Sequence, residues 1–86
     1  MDVHEIKVKG SRYFVFNEDD YEGESGMYDC VLITDDIDEA ESLAIEISHK
    51  LYFPSSAAIF DAEDKKYYSY VNGELDEEQS KSIKFI

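Results

Sequence analysis

The sequence predicts an α+β domain in which a mainly antiparallel β-sheet packs on one amphipathic helix. Two observations lead to this prediction. Several short segments alternate between apolar and polar residues, and one longer segment has apolar residues three and four positions apart. The 86 residues are enough for one hydrophobic core and too few for two, so residues 1–86 are expected to form a single domain.

Three strands are predicted before the helix, in the segments Val3–Lys9, Arg12–Phe16 and Met27–Thr34. Gly10-Ser11 is expected to be a type II′ turn that pairs the first two strands as a hairpin. Arg12–Phe16 is aromatic and β-branched, which predicts burial on both of its faces. The acidic segment 17–26 contains two glycines and is predicted to be a loop.

The helix is predicted to cover residues about 36–52. Asp36 has the position and chemistry of an N-cap, with Glu39 three residues later as in a capping box. Pro54 is expected to end the helix. The apolar stripe expected to face the sheet consists of Ile37, Ala40, Leu43, Ala44, Ile47 and Leu51.

Three more strands are expected after the helix. Ser56–Asp61 and Lys66–Val71 should pair around a turn at 62–65, and Asn72-Gly73 is a strong hairpin signal. Asp76–Gln79 is predicted to be one helical turn, and Ser82–Ile86 a terminal strand. The predicted order is therefore β-β-β-α-β-β-β, with parallel pairing expected only across the helix.

The charge of the chain is concentrated in one stretch. The sequence contains 21 acidic and eight basic residues, which gives a net charge of −13. No lysine or arginine lies between Arg12 and Lys50, and 12 of the acids lie there. The rest of the chain, nine acids against eight bases, is nearly neutral. The acids form two clusters, the loop 17–26 and the helix start 35–41.

This distribution predicts a non-catalytic protein–protein interaction module. An acidic surface repels nucleic acids and anionic lipids and attracts a basic protein, so no direct nucleic-acid or membrane contact is expected. The partner is predicted to be a nucleic-acid-binding or other basic protein, which this chain would inhibit or regulate, with nucleic-acid mimicry as one means. In size and charge the chain resembles the uracil-DNA glycosylase inhibitors and the barstar-like nuclease inhibitors, with which it shares no motif.

The residues predicted to contact the partner belong to the two acidic clusters, to the strand between them and to one apolar patch. They are Glu18, Asp19, Asp20, Glu22 and Glu24 in the loop, Asp29 in the third strand, Asp35, Asp36, Asp38, Glu39 and Glu41 at the helix start, and Ile45 and Tyr52 as apolar anchors. Ile45 points away from the core stripe by helical geometry and is expected beside Asp38, Glu41 and Ser48.

No enzymatic site, cofactor or metal site is predicted. Cys30 lies in an apolar segment without a nearby base and is expected to be buried and unreactive. The acidic loop lacks the glycine that an EF-hand requires at its sixth position. Weak divalent-cation binding at Asp35, Asp36, Asp38 and Glu39 is an alternative to protein binding.

Two further alternatives remain at this point. The chain would be a structural subunit or homodimer if an edge strand such as Ile83–Ile86 pairs with a second copy. The acids would then serve solubility alone, or adaptation to a salt-rich cell. A cytoplasmic location is expected, because the chain has one cysteine, an acidic N-terminus unlike a secretory signal, and no apolar run of about 20 residues.

Overall fold

The computed structural model describes residues 5–18, 26–49 and 56–82, and for residues 28 and 78–82 the backbone alone. The elements are β1 (Lys7–Val8), β2 (Tyr13–Asn17), a 3-10 helix (Gly26–Asp29), β3 (Cys30–Thr34), α1 (Ile37–Ser48), β4 (Ser56–Asp61), β5 (Lys66–Val71) and β6 (Glu74–Ser82). The strands form one sheet in the order β1-β3-β2-β4-β5-β6. All neighbouring pairs are antiparallel except β1 with β3. The predicted α+β class and element order are therefore confirmed.

The first two strands do not form the predicted hairpin. β1 pairs in parallel with β3, Lys7 opposite Leu32 and Val8 opposite Ile33, and β2 lies on the other side of β3. The backbone of Gly10 is outside the positive-φ region that a type II′ turn requires. The parallel pair thus precedes the helix and does not span it. The prediction was wrong because an alternating pattern identifies a strand without specifying its neighbour.

The third strand is shorter than predicted. Residues 27–29 belong to the 3-10 helix, and β3 begins at Cys30. The register between β2 and β3 shifts after Val15, so that Cys30 lies opposite Phe16 and the pairing ends there. An irregularity of this kind interrupts the ladder and is not visible in the apolar pattern.

Helix α1 begins as predicted and ends earlier. The Asp36 side chain accepts hydrogen bonds from the backbone N–H groups of Asp38 (2.9 Å) and Glu39 (3.4 Å), which confirms it as the N-cap. The helix ends at Ser48, because His49 has an extended backbone (φ -93°, ψ 95°). The predicted helix end near residue 52 is therefore wrong, and the predicted stop at Pro54 lies outside the described residues.

Both predicted C-terminal hairpins are present. β4 and β5 pair from Ser56↔Val71 to Asp61↔Lys66, around the predicted four-residue turn. Asn72 (φ 52°) and Gly73 (φ 81°) both have the left-handed backbone of a type I′ turn. These turns were predictable because their signals are local.

Residues 76–79 form part of β6 and not the predicted helical turn. The two-residue turn brings Glu74 opposite Val71, so the chain continues alongside β5. Ladder pairing then overrides the weak helical preference of this acidic segment. Of the predicted terminal strand, Ser82 ends β6, and residues 83–86 lie outside the described residues.

The core lies between α1 and one face of the sheet. Its buried members are Tyr13, Val15, Leu32, Ala40, Ala44, Ala57, Ile59 and Tyr70. On the opposite face of the sheet, Phe14 and Phe16 are half-buried. The predicted burial of the second strand is therefore confirmed on the helix side alone.

Ser48 ties the end of α1 to the β5–β6 turn and is not in the exposed patch predicted around Ile45. It is fully buried; its hydroxyl donates to the backbone oxygen of Ile45 (3.3 Å) and accepts from the N–H of Gly73 (3.0 Å). A small polar residue on the helix is buried here because it supplies a partner for a turn N–H.

We expect Ser48→Ala to lower the free energy of unfolding by about 1–2 kcal/mol, because the Gly73 N–H loses its acceptor. Chemical denaturation measures this change. Ser42→Ala is the matched control, since Ser42 is an exposed serine of the same helix and the substitution has the same effect on helix propensity. Equal stability changes in the two variants would contradict the assigned role.

Candidate functional site

The acids at the start of α1 do not all face outward toward a partner. The Oδ1 atom of Asp35 accepts hydrogen bonds from the backbone N–H groups of Ser11 (2.9 Å) and Arg12 (3.1 Å). Asp36 caps the helix. Glu39 accepts from the Lys9 ammonium, which, with a hydrogen bond from Thr34, lowers the pKa of Glu39. Three of the five predicted contact residues here therefore also stabilise the fold.

Of the acids predicted in the loop 17–26 and in the third strand, the structure describes Glu18 and Asp29. Glu18 is exposed beyond β2 and accepts a hydrogen bond from the Tyr67 hydroxyl. Burial first, and this carboxylate second, raise the pKa of Tyr67. Asp29 is half-buried at the end of the 3-10 helix. The remaining predicted contact residues lie outside the described residues: Asp19, Asp20, Glu22, Glu24 and Tyr52.

One side of α1 presents acids to solvent together with an apolar residue. Its exposed residues are Asp38, Glu41, Ser42, Ile45 and Glu46. At 100° per residue they fall within about 140° of the helix circumference, and we call this surface the outer face of α1. Ile45 is 43% exposed at its centre, which confirms that this predicted apolar residue is accessible.

An ion pair between a half-buried arginine and a buried carboxylate, which no sequence pattern indicated, lies beside the helix start. The Arg12 guanidinium donates from Nε to Asp61 Oδ1 (3.0 Å) and from Nη2 to Asp61 Oδ2 (3.1 Å). It also lies 4.8 Å from the centre of the Tyr13 ring. Asp61 is only 3% exposed. The exposed Glu63 (3.1 Å) and Asp64 (3.3 Å) complete an acidic ring around the guanidinium.

Asp61 also shapes the β4–β5 turn. Its Oδ1 accepts from the backbone N–H groups of Glu63 (3.0 Å) and Asp64 (3.2 Å). The hydrogen bonds from Arg12 are the main cause that lowers the pKa of Asp61, and the two backbone N–H groups lower it further. Burial acts in the opposite direction and is outweighed. An aspartate at the first position of a turn is a recognisable Asx-turn signal, so this half of the arrangement was detectable in the sequence. Its pairing with Arg12, 49 residues away, was not.

A cleft of about 230 Å³ lies between α1 and the β5–β6 hairpin. Four of its lining residues belong to the Arg12–Asp61 pair and its surroundings: Arg12, Tyr13, Asp61 and Asp64. The others are Ile37 and Glu41 of α1, Tyr68 and Tyr70 of β5 and Leu75 of β6. Burial and the nearby charge of Glu41 raise the pKa of Tyr70. The cleft thus combines aromatic walls with carboxylates, and it adjoins the outer face of α1 through Glu41.

Within residues 5–18, 26–49 and 56–82, no three His, Cys, Asp or Glu residues are grouped so as to hold a metal ion. Cys30 is fully buried as predicted, and burial raises the pKa of its thiol, which disfavours the reactive thiolate. In the same part of the chain, α1 has 12 residues, and no helix is long and apolar enough to cross a membrane.

Comparison with protein-family models, with curated proteins and with solved structures finds no match to this chain.

Proposed function

We propose that the protein is a non-catalytic interaction module that binds a basic protein through the outer face of α1. The observation behind the proposal is the combination of three exposed carboxylates, Asp38, Glu41 and Glu46, with the exposed Ile45 between them. Lys9 pairs with Glu39, and Arg12 pairs with Asp61, Glu63 and Asp64. The three outer-face acids are not in those pairs.

Electrostatics and packing have different roles in this proposal. The net charge of −13 attracts a basic partner over long range and raises the rate of encounter. Contacts at the interface then determine how long the complex lasts, and Ile45 offers an apolar anchor among the acids. One face of a 12-residue helix is a small contact surface, which suits a transient regulatory or inhibitory complex more than a permanent one.

Inhibition of a nucleic-acid-binding partner is the narrower form of the proposal. Asp38 and Glu46 lie eight residues apart, which is about 12 Å along the helix axis. With Glu41 between them, the charges are more widely spaced than the phosphates of one DNA strand, about 3.4 Å apart along the axis. The described residues present one such row on α1 and a duplex presents two. The support is therefore for binding to a basic surface, and duplex mimicry would need the acids outside the described residues.

We propose further that the protein meets its basic partner in the cytoplasm. Its support is the single cysteine, Cys30, which is buried and forms no disulfide.

A triple variant tests the interaction face. Asp38→Asn, Glu41→Gln and Glu46→Gln together should abolish or greatly weaken retention of a basic partner from the source cell on the immobilised protein. The control is Glu5→Gln, Glu74→Gln and Glu77→Gln, which removes the same charge from exposed positions away from the outer face. We expect the control to retain the partner. Equal losses in both variants would mean general attraction to an acidic protein.

Salt dependence gives the second readout on the purified partner. Its Kd for the wild-type protein should rise at least tenfold when the salt concentration is raised from about 50 to about 300 mM, because surface charges are screened within about 10 Å at 0.1 M salt. A Kd that does not change with salt would exclude a mechanism based on charge complementarity.

Edge pairing between two copies is the second candidate function. β6 is the last strand of the sheet in the described part of the chain, and an edge strand is a template for pairing. Sedimentation distinguishes the candidates: the interaction module is expected to be a monomer in the absence of its partner, and edge pairing predicts a defined dimer.

A further inference from the structure

The cleft between α1 and the β5–β6 hairpin has an excess of negative charge. Its lining includes the carboxylates of Glu41, Asp61 and Asp64 and one cationic side chain, Arg12. Three negative charges against one positive charge leave a net charge of −2. Asp61 is buried and already paired with Arg12, whereas Glu41 and Asp64 are exposed. The excess negative charge of the lining attracts a second cation and repels an anion.

The protein already holds one guanidinium in this cleft. Arg12 is stacked 4.8 Å from the centre of the Tyr13 ring and donates two hydrogen bonds, from Nε and Nη2, to Asp61. Aromatic stacking combined with a two-point carboxylate contact is the geometry that suits arginine better than lysine. The contacts of Arg12 therefore show how a guanidinium is bound by this set of residue types.

The lining also contains a second set of these components, contributed by α1 and β5. Tyr68 and Tyr70 provide aromatic rings, and Glu41 provides a carboxylate close enough to raise the pKa of Tyr70. Leu75 lies opposite Tyr70 in the β5–β6 register and is 43% exposed. Ile37 and Leu75 together offer an apolar surface for the aliphatic part of an incoming side chain.

We propose that this cleft binds an arginine side chain of the basic partner, with the guanidinium at Glu41 and the aliphatic stem against Tyr68 and Leu75. This inference rests on the proposed function and specifies its anchor. Glu41 belongs both to the cleft and to the outer face of α1, so a partner lying on that face reaches the cleft with one side chain. Asp64 also lines the cleft, where it pairs with Arg12 at 3.3 Å.

The probe for this inference is the peptide acetyl-Gly-Arg-Gly-amide, titrated into the wild-type protein and followed by NMR. The expected result is saturable shifts confined to Leu75, Tyr68, Tyr70 and the Glu41 region. Glu41→Gln should raise the peptide Kd by about fivefold, the upper range for one partly exposed ion pair. Glu46→Gln, the same change on the same helix outside the cleft, should leave the Kd within about twofold.

Three results would overturn the inference. These are the absence of saturable shifts at the cleft, equal losses in Glu41→Gln and Glu46→Gln, and equal affinity for the lysine analogue acetyl-Gly-Lys-Gly-amide. The first two would indicate diffuse attraction, and the third would exclude recognition of the planar guanidinium.

The failure of this inference can be distinguished from failure of the proposed function. Leu75→Ala shortens the apolar wall at an exposed position without changing charge. If the triple outer-face variant loses the partner while Leu75→Ala and Glu41→Gln alone retain it fully, the cleft is not the anchor and the outer face still is. If the partner binds independently of salt, the proposed function fails, and the peptide titration still gives its own result for the cleft.

Discussion

Asp61→Ala is expected to lower the free energy of unfolding by about 3 kcal/mol at neutral pH. The substitution removes the acceptor of two Arg12 hydrogen bonds and of two backbone N–H groups in the β4–β5 turn. Asp61 is buried whereas Arg12 keeps partial contact with solvent, so the loss falls toward the lower end of the range for broken buried pairs. Urea denaturation measures the change.

Two further variants separate the contributions of Asp61. Asp61→Asn retains an oxygen for the turn N–H groups and loses the charge, so its effect should lie between those of wild type and Asp61→Ala. Asp64→Ala removes an exposed partner of the same guanidinium and should cost less than about 1 kcal/mol. A stability loss in Asp64→Ala as large as in Asp61→Ala would show that the burial of Asp61 does not add to the free energy of unfolding.

The same pair predicts a pH dependence. The pKa of Asp61 is lower in the folded state than the unfolded value of about 3.9, so its contribution is present above that value. It is lost as the pH falls through the lower, folded-state pKa. The stability difference between wild type and Asp61→Ala should therefore shrink as the pH is lowered from 7 to below about 3.9. A difference that is constant over this range would contradict the ionised pair.

Gly10→Ala is expected to destabilise the protein by about 3 kcal/mol, the upper part of the range for overpacking. A Cβ atom at this position would lie 2.4 Å from the backbone nitrogen of Asp35 and 2.7 Å from its Oδ1 atom. That carboxylate accepts the N–H groups of Ser11 and Arg12, which hold the β1–β2 connection. Because a backbone atom is among the contacts, a side-chain rotation cannot relieve the clash.

Hydrogen exchange of the Lys9 amide would report the local consequence of Gly10→Ala. This N–H donates to the backbone oxygen of Ile33 (2.7 Å) and continues the β1–β3 pairing. Its protection should fall in Gly10→Ala more than that of β4 and β5. Ser11→Ala, at the neighbouring exposed position, is the control and should change stability by less than about 0.5 kcal/mol. A Gly10→Ala variant as stable as wild type would contradict the close approach.

The acidic residues that the structure describes differ in whether the fold already uses their carboxylates. A carboxylate that accepts backbone N–H groups or pairs with the half-buried Arg12 guanidinium is held in place by the fold, as in Asp35, Asp36 and Asp61. A carboxylate on the outer face of α1, such as Asp38 or Glu46, is exposed and remains accessible to another molecule. The structure therefore divides the acidic stretch into residues with structural roles and residues that support the proposed interaction.

The elements that the sequence predicted well depend on neighbours along the chain. The Asp36 cap, the apolar stripe of α1 from Ile37 to Ile47 and the Asn72-Gly73 turn each arise from residues within a few positions of one another. The last predicted member of the stripe, Leu51, lies outside the described residues. The exposure of Ile45 follows from helical geometry alone. The predictions that were wrong depend on distant partners. β1 pairs with β3 and not with β2, and the acidic segment 76–79 is a strand because β5 lies beside it.

The sequence by itself determined the α+β class, the start of the helix, the C-terminal turns and the location of the negative charge, because local propensity and side-chain periodicity are encoded in short segments. Only the tertiary structure decided the strand order, the Arg12–Asp61 pair and the cleft of Tyr68, Tyr70 and Leu75. Each of these brings together residues from separate segments, and no short-range pattern specifies which segments meet. For the same reason, the number of acids follows from the sequence, whereas the structure shows which of the described acids already have partners within the fold.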